Sequence, residues 1–238
     1  MNARITLLVC ILVGAGVSGA AQAALIDRGG GLIYDTDLNV TWLADANYAQ
    51  TSGYSADGLM DWNQAVTWAA NLSYFDAVRN VTYTDWRLPT TTDTGAPGCD
   101  FSYSGTDCGY NVDPASSEMA HLYFTELGNL SYFTSTGELS GASAGGANPV
   151  STLDNVGPFK NFQSNGYWSG TESAPASCRC AWFFGTWEGS QFSWDETAPW
   201  FNALAVRPGD VAAVPEAQTY ALMLAGLGLI GWRARRRG

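Results

Sequence analysis

An α+β domain of small antiparallel sheets, two main helices and long loops is what this sequence predicts, and three observations carry the prediction. Hydrophobic residues make up 46% of the 238 residues and charged ones only 14%, so the chain has enough apolar surface to collapse and too little charge to stay disordered. The 27 glycines, with many Ser, Thr and Asn, divide it into short elements joined by loops. Strand-like runs lie near residues 32–43 and 167–207, and two capped helical segments lie between them.

The chain opens with a targeting segment. Met1 to Ala23 has Arg4 as its charged start, an apolar stretch from Ile5 to Val17, and Ala21-Gln22-Ala23 as a small-x-small cleavage site, so the mature chain is expected to begin at Ala24. Residues 24–210 then suit one domain. Gly31 to Leu43 reads as a hairpin, with Leu32-Ile33-Tyr34 and Val40-Thr41-Trp42-Leu43 joined by a turn at Asp35 to Asn39. That turn has the D-x-D-x-N start of a calcium loop. Val40 stands where such a loop needs glycine and Ala46 where it needs its last acid, so the expected role is turn chemistry and calcium is kept as the weaker reading.

Asp61 to Leu72 is the first expected helix. Asp61 caps it, Gln64 closes a capping box, and Trp62, Ala65, Val66 and Ala69 share one face. The second is expected from Pro114 to about Leu127, with Asp113 as cap, an apolar stripe of Met119, Leu122 and Tyr123, and Gly128 as its stop. Between them, in Asp85-Trp86-Arg87-Leu88-Pro89, Trp86 and Leu88 point to an interior, and Asp85 and Arg87 are available to pair with each other or with loop backbone. Thr91 to Val112 is expected to be a long surface loop, and Asn129 to Asn165 is again loop-rich. Strands are expected at Tyr167 to Thr171, Ala181 to Trp187, Gln191 to Trp194 and Trp200 to Arg207, with a turn at Glu188-Gly189-Ser190. Residues 211–219 form a linker.

The last segment, residues 214–238, carries Pro215-Glu216, an apolar run from Tyr220 to Trp232, and then Arg233, Arg235, Arg236 and Arg237. Thirteen residues rise only about 20 Å as a helix, short of a bilayer core, so the run suits transient membrane insertion rather than permanent anchoring. The arginines hold its end on the cytoplasmic side. These residues resemble the PEP-CTERM tail of Gram-negative bacteria, with Ala217 in place of the second proline. The resemblance implies an exosortase-type transpeptidase as partner and a cell-envelope or extracellular-matrix location, usually alongside exopolysaccharide.

A second resemblance covers about residues 30–210. Val40-Thr41-Trp42-Leu43, the helix from Trp62, Asp85-Trp86-Arg87-Leu88-Pro89, Tyr167 to Glu172 and Ala205-Val206-Arg207 are similar, in order, to a DUF1566 domain, a module also found at the C-terminus of a collagen-like adhesin. It implies a C-type-lectin-like fold with neighbouring termini. By association it also implies polysaccharide binding.

Charge restricts the partners. Removing the targeting arginines leaves 6 − 22 = −16, or −15 if Glu216 is also lost. Such a surface repels nucleic acid and direct binding of a polyanion. The chemistry-bearing residues are few. His121 is the single histidine and no Gly-x-Ser-x-Gly elbow is present, so a helix-surface or core-edge role is expected for it and no catalytic residue is assigned. No cofactor or metal is expected: Cys178 and Cys180 with His121 are the candidates for zinc, and export favours disulfides over thiolate zinc. Losing Cys10 with the leader leaves Cys99, Cys108, Cys178 and Cys180. Cys99 with Cys108 is the favoured pairing, and the other two then close a very small ring or cross to that loop.

Aromatics are dense over residues 167–200. Most should be core, with Trp187 and Trp194 as the expected exposed pair and Glu188 beside them as a ligand contact. The expected function is therefore that of an exported, non-enzymatic glycan- or matrix-binding module. The alternative is a carbohydrate-active hydrolase using Glu172, Glu188, Asp195 or Glu196, which would need two suitably spaced carboxyls.

Overall fold

The structure, a computed structural model of the whole chain, describes residues 25–94, 103, 107–140, 153–174 and 178–212. The expected leader, Cys99, and the sorting tail with its apolar run lie outside the described residues. The described elements are mostly short antiparallel strands with few helices. One four-stranded sheet has the order β1 (Leu25–Gly29), β2 (Leu32–Asp35), β3 (Val40–Leu43), β10 (Val206–Pro208). The other runs β6 (Gly109–Tyr110), β9 (Ser190–Asp195), β8 (Cys180–Gly185), β7 (Gly166–Glu172), and β4 (Tyr74–Asp76) with β5 (Val81–Tyr83) forms a separate ribbon. Two short helices precede the ribbon, α1 (Tyr48–Thr51) and α2 (Trp62–Ala70).

Local chemistry accounts for the β2–β3 hairpin. The Asp35 carboxylate accepts from the backbone N–H groups of Asp37 and Leu38 at 3.1 and 3.0 Å, and Asn39 takes the left-handed φ of 51° that closes the turn. Asp35 also accepts from the Trp42 indole N–H at 3.2 Å and is fully buried. Helix α2 begins on the predicted capping box: Asp61 accepts from the Gln64 N–H at 2.8 Å, and Gln64 accepts in return from the Asp61 N–H at 3.2 Å. Its buried face, Trp62, Ala65, Trp68 and Ala69, packs into the core.

The inner strands of both large sheets are covered on both faces. Across the β7–β8 pair, Trp168 and Phe183 enter one core cluster while their neighbours Tyr167 and Phe184 enter the other. Leu32 and Leu43 likewise face one cluster, and Ile33 and Trp42 the other. This explains why Ala181 to Phe184 reads as a continuous apolar run rather than an alternation.

Several expectations change. The predicted strand Trp200 to Arg207 is a ladder only at β10. Asn202 exchanges backbone hydrogen bonds with Gly166 and Trp168 of β7, whereas Ala205 accepts from Leu43 of β3, so this segment crosses from one sheet to the other. The second helix starts later and in a different form. Asp113 caps only a local turn, at the Ala115 N–H, while Ser117 caps the helix by accepting from the Ala120 N–H at 3.2 Å. From there α3 (Glu118–Ala120) continues directly into a π-helix, His121–Glu126, before Gly128 turns the chain with φ of 66°.

Asp85 and Arg87 do not pair with each other. Arg87 makes a two-pronged contact with Glu118 at 2.6 and 2.7 Å, and Asp85 does the same with Arg207 at 2.8 and 2.9 Å. Trp86 and Leu88 are buried as expected. In the expected Thr91 to Val112 loop, several of the described residues are not exposed: Thr91, Asp107, Cys108 and Val112 are buried, and β6 joins β9. Among the described residues, no helix is long and apolar enough to cross a membrane.

The two ends of the domain meet. The buried Arg79 guanidinium donates to the carbonyls of Arg28 and Ala212, each at 2.6 Å, while pairing with fully buried Asp76. Arg28 is in turn bridged to Asp210. The chain thus leaves the domain toward its tail beside the strand where the domain begins.

Candidate functional site

The β8–β9 hairpin carries the residues that sequence reasoning singled out, and it places them at opposite ends. At the turn end, Trp187 is half-buried. Its indole lies over Gly185, where an added Cβ would come within 3.0 Å of the ring, and it stacks on Phe183 and Phe201 with centroids 6.0 and 6.4 Å away. Glu188 braces the same turn, accepting from the Ser190 hydroxyl at 2.8 Å and from the Tyr110 hydroxyl at 3.2 Å. Burial first, and the Glu188 charge second, push the Tyr110 phenol up to about 12.

The open end presents a different surface. Trp194 is 44% exposed, and its ring partner is Trp200, 54% exposed, with centroids 5.7 Å apart and planes inclined at 46°. The expected pair Trp187 and Trp194 is therefore replaced by Trp194 and Trp200. Sequence reasoning missed Trp200 because it was assigned to a regular strand, where its neighbours gave no sign that its indole turns outward.

The backbone around this indole pair is fixed from several directions. The Glu196 carbonyl accepts from the Trp62 N–H at 3.0 Å, the Phe201 carbonyl from the Met60 N–H at 3.0 Å, and the Trp200 carbonyl from the Asn165 side-chain amide at 3.1 Å. Asp195 accepts from the Thr197 hydroxyl and N–H at 2.7 and 2.8 Å, and these bonds hold its carboxyl below the ordinary range. Cys178 and Cys180 are bonded to each other across Arg179, with Cα atoms 5.2 Å apart. That pairing resolves the alternatives left open for them. Cys108 is also disulfide-bonded.

Of the four acids named for the hydrolase alternative, Glu188 is at the turn end and Asp195 at the far end of the six-residue strand β9, roughly 20 Å along it, too far for those two to act on one glycosidic bond. Glu172, which lies opposite Ala181 on β7, shares the open end with Asp195 and Glu196.

His121 sits at the core edge, one of the two places expected for it, with its side chain 13% exposed. Its Nε2 is 3.4 Å from Glu126 Oε1 and 3.9 Å from Asp37 Oδ2, and one donor atom from each of Asp35, His121 and Glu126 lies within 4.8 Å of the others. Sequence separation hid this cluster, because it joins the β2–β3 turn to the π-helix.

Residues 213–237 match the PEP-CTERM protein-sorting motif. The match indicates sorting to the cell envelope or exterior by an exosortase system of Gram-negative type. No curated protein and no solved structure matches the chain.

Proposed function

We propose that the domain is a non-enzymatic, DUF1566-like, C-type-lectin-like module that binds neutral glycan in an extracellular polysaccharide matrix, after exosortase processing of its tail. The exposed Trp194–Trp200 pair carries this reading. Two inclined indoles on a backbone braced by Trp62, Met60 and Asn165 offer apolar ring faces that are already ordered, so stacking on the C–H face of a sugar costs little further side-chain entropy. Asp195, Glu196 and Thr197 lie between the two indoles in the chain, and their polar groups suit hydroxyl contacts. Excess negative charge favours a neutral ligand over a polyanion.

The hydrolase alternative has one role filled against it: Thr197 holds Asp195 ionised, so Asp195 suits a nucleophile or base and the general acid would have to be Glu172 or Glu196. Glycan-array binding and calorimetry on wild type, Trp194→Ala and Trp200→Ala test the proposal, with Trp187→Ala as a packing control. Loss of either exposed ring should weaken binding about ten- to hundredfold, by analogy with base-on-aromatic stacking. Unchanged affinity in both variants at unchanged melting temperature, or turnover of glycan by the wild type, would overturn it.

A further inference from the structure

We propose that Asp35, His121 and Glu126 form a structural binding site for a divalent transition-metal ion of the zinc class, with Asp37 at its mouth. The donors come from two elements: Asp35 closes strand β2 and is fully buried, while His121 and Glu126 begin and end the π-helix. In an α-helix, residues five apart diverge around the axis. The π register, seen in the Leu127 N–H bond to the Leu122 carbonyl at 2.9 Å, brings them onto one face.

An independent observation points to a missing partner. The Glu126 side chain is only 2% exposed, yet its Oε1 has no hydrogen-bond partner, and neither does the buried Nε2 of His121. The two atoms face each other at 3.4 Å without the geometry of a hydrogen bond. Two ligands about 2.1 Å from one tetrahedral ion stand about 3.4 Å apart, so this spacing fits a shared metal.

Charge points the same way. Three carboxylates, Asp35, Asp37 and Glu126, surround one imidazole, and a divalent cation would balance what the imidazole cannot. Asp35 is already oriented by the Trp42 indole and by the N–H groups of Asp37 and Leu38, the outer support that metal-binding carboxylates usually have. Asp37, with its side chain 45% exposed, supplies a route from solvent. An imidazole with carboxylates suits zinc-class ions, whereas calcium and magnesium favour all-oxygen shells. The bound ion would tie the β2–β3 turn to the π-helix and so stabilise the exported fold.

The test uses the full chain, purified in mild detergent and stripped with a chelator. Zinc titration should show one ion per chain by calorimetry and elemental analysis, with a rise in melting temperature that stops at equimolar metal. His121→Ala and Glu126→Gln should lose that rise and weaken zinc binding by more than about a hundredfold, since outer-shell changes alone cost ten- to hundredfold. Glu126→Gln keeps the side-chain shape and removes a buried charge, so it should fold without metal. The proposal is overturned if stripped wild type shows neither binding nor a temperature shift, if both variants bind zinc like wild type, or if calcium binds at this cluster in preference to zinc.

Discussion

Arg79→Met tests whether one guanidinium closes the domain at the point where the tail departs. The substitution keeps an apolar stem of similar reach and removes three hydrogen bonds, those to Asp76, the Arg28 carbonyl and the Ala212 carbonyl, each 2.6 Å long. The Arg79 and Asp76 side chains are 7% and 0% exposed, so Asp76 would be left as a buried carboxylate with only the Val78 and Arg79 N–H groups. Breaking a buried pair from one side costs about 3–5 kcal/mol. At about 2–4 °C per kcal/mol for a domain of this size, the melting temperature should fall by roughly 6–20 °C. Pairing it with Asp76→Asn removes both charges, so the double variant should lose much less than the sum of the two singles. Urea unfolding followed by tryptophan fluorescence measures these values, and limited proteolysis should show earlier cutting near residues 208–212. A cost below about 1 kcal/mol, or strictly additive singles, would refute the argument that the pair is buried and coupled.

Two further expectations concern charge and sorting. The Asp85 carboxyl is held below its ordinary range chiefly by hydrogen bonds from Arg207, so the folded state binds fewer protons there than the unfolded state, and the stability it adds is present above about pH 4 and lost as pH falls through the folded value. Asp85→Asn should therefore be less stable than wild type at neutral pH and converge with it as pH falls through the folded value, as read from melting temperatures across a pH series. Protein released to the exterior should lack Arg233 to Arg237, and peptides spanning Trp232 to Arg235 in that fraction would count against cleavage of the tail.

Features governed by nearby residues were legible in the sequence. The Asp61–Gln64 capping box, the Asp35–Asn39 turn and the Gly128 stop each depend on side chains or backbone freedom within a few positions, and all three appear where the spacing puts them. Features set by distant partners were not. Arg87 and Glu118 are 31 residues apart, and the adjacent Asp85 was the more visible choice of partner. Met119, Leu122 and Tyr123 fit an α-helical stripe equally well in either register, so the shift to a π-helix, which brings His121 to Glu126, leaves no periodic trace. Trp194 and Trp200 meet because the chain leaves β9 through a turn at Asp195 to Thr197 and comes back before it crosses between sheets. That return is a tertiary event.

Both candidate sites follow from one property of the exported surface. With the targeting segments removed the chain carries a net charge near −15, which raises the local concentration of divalent cations and lowers that of anionic polymers. A cluster of carboxylates around one imidazole, open at Asp37, would, under the metal-site proposal, take advantage of the first effect. Under the glycan-binding proposal, the indole pair draws its binding energy from apolar ring faces and is indifferent to the second. Salt therefore separates the two sites. Screening weakens cation recruitment to the partly exposed mouth at Asp37, whereas sugar stacking on Trp194 and Trp200 should hold nearly constant across the same series.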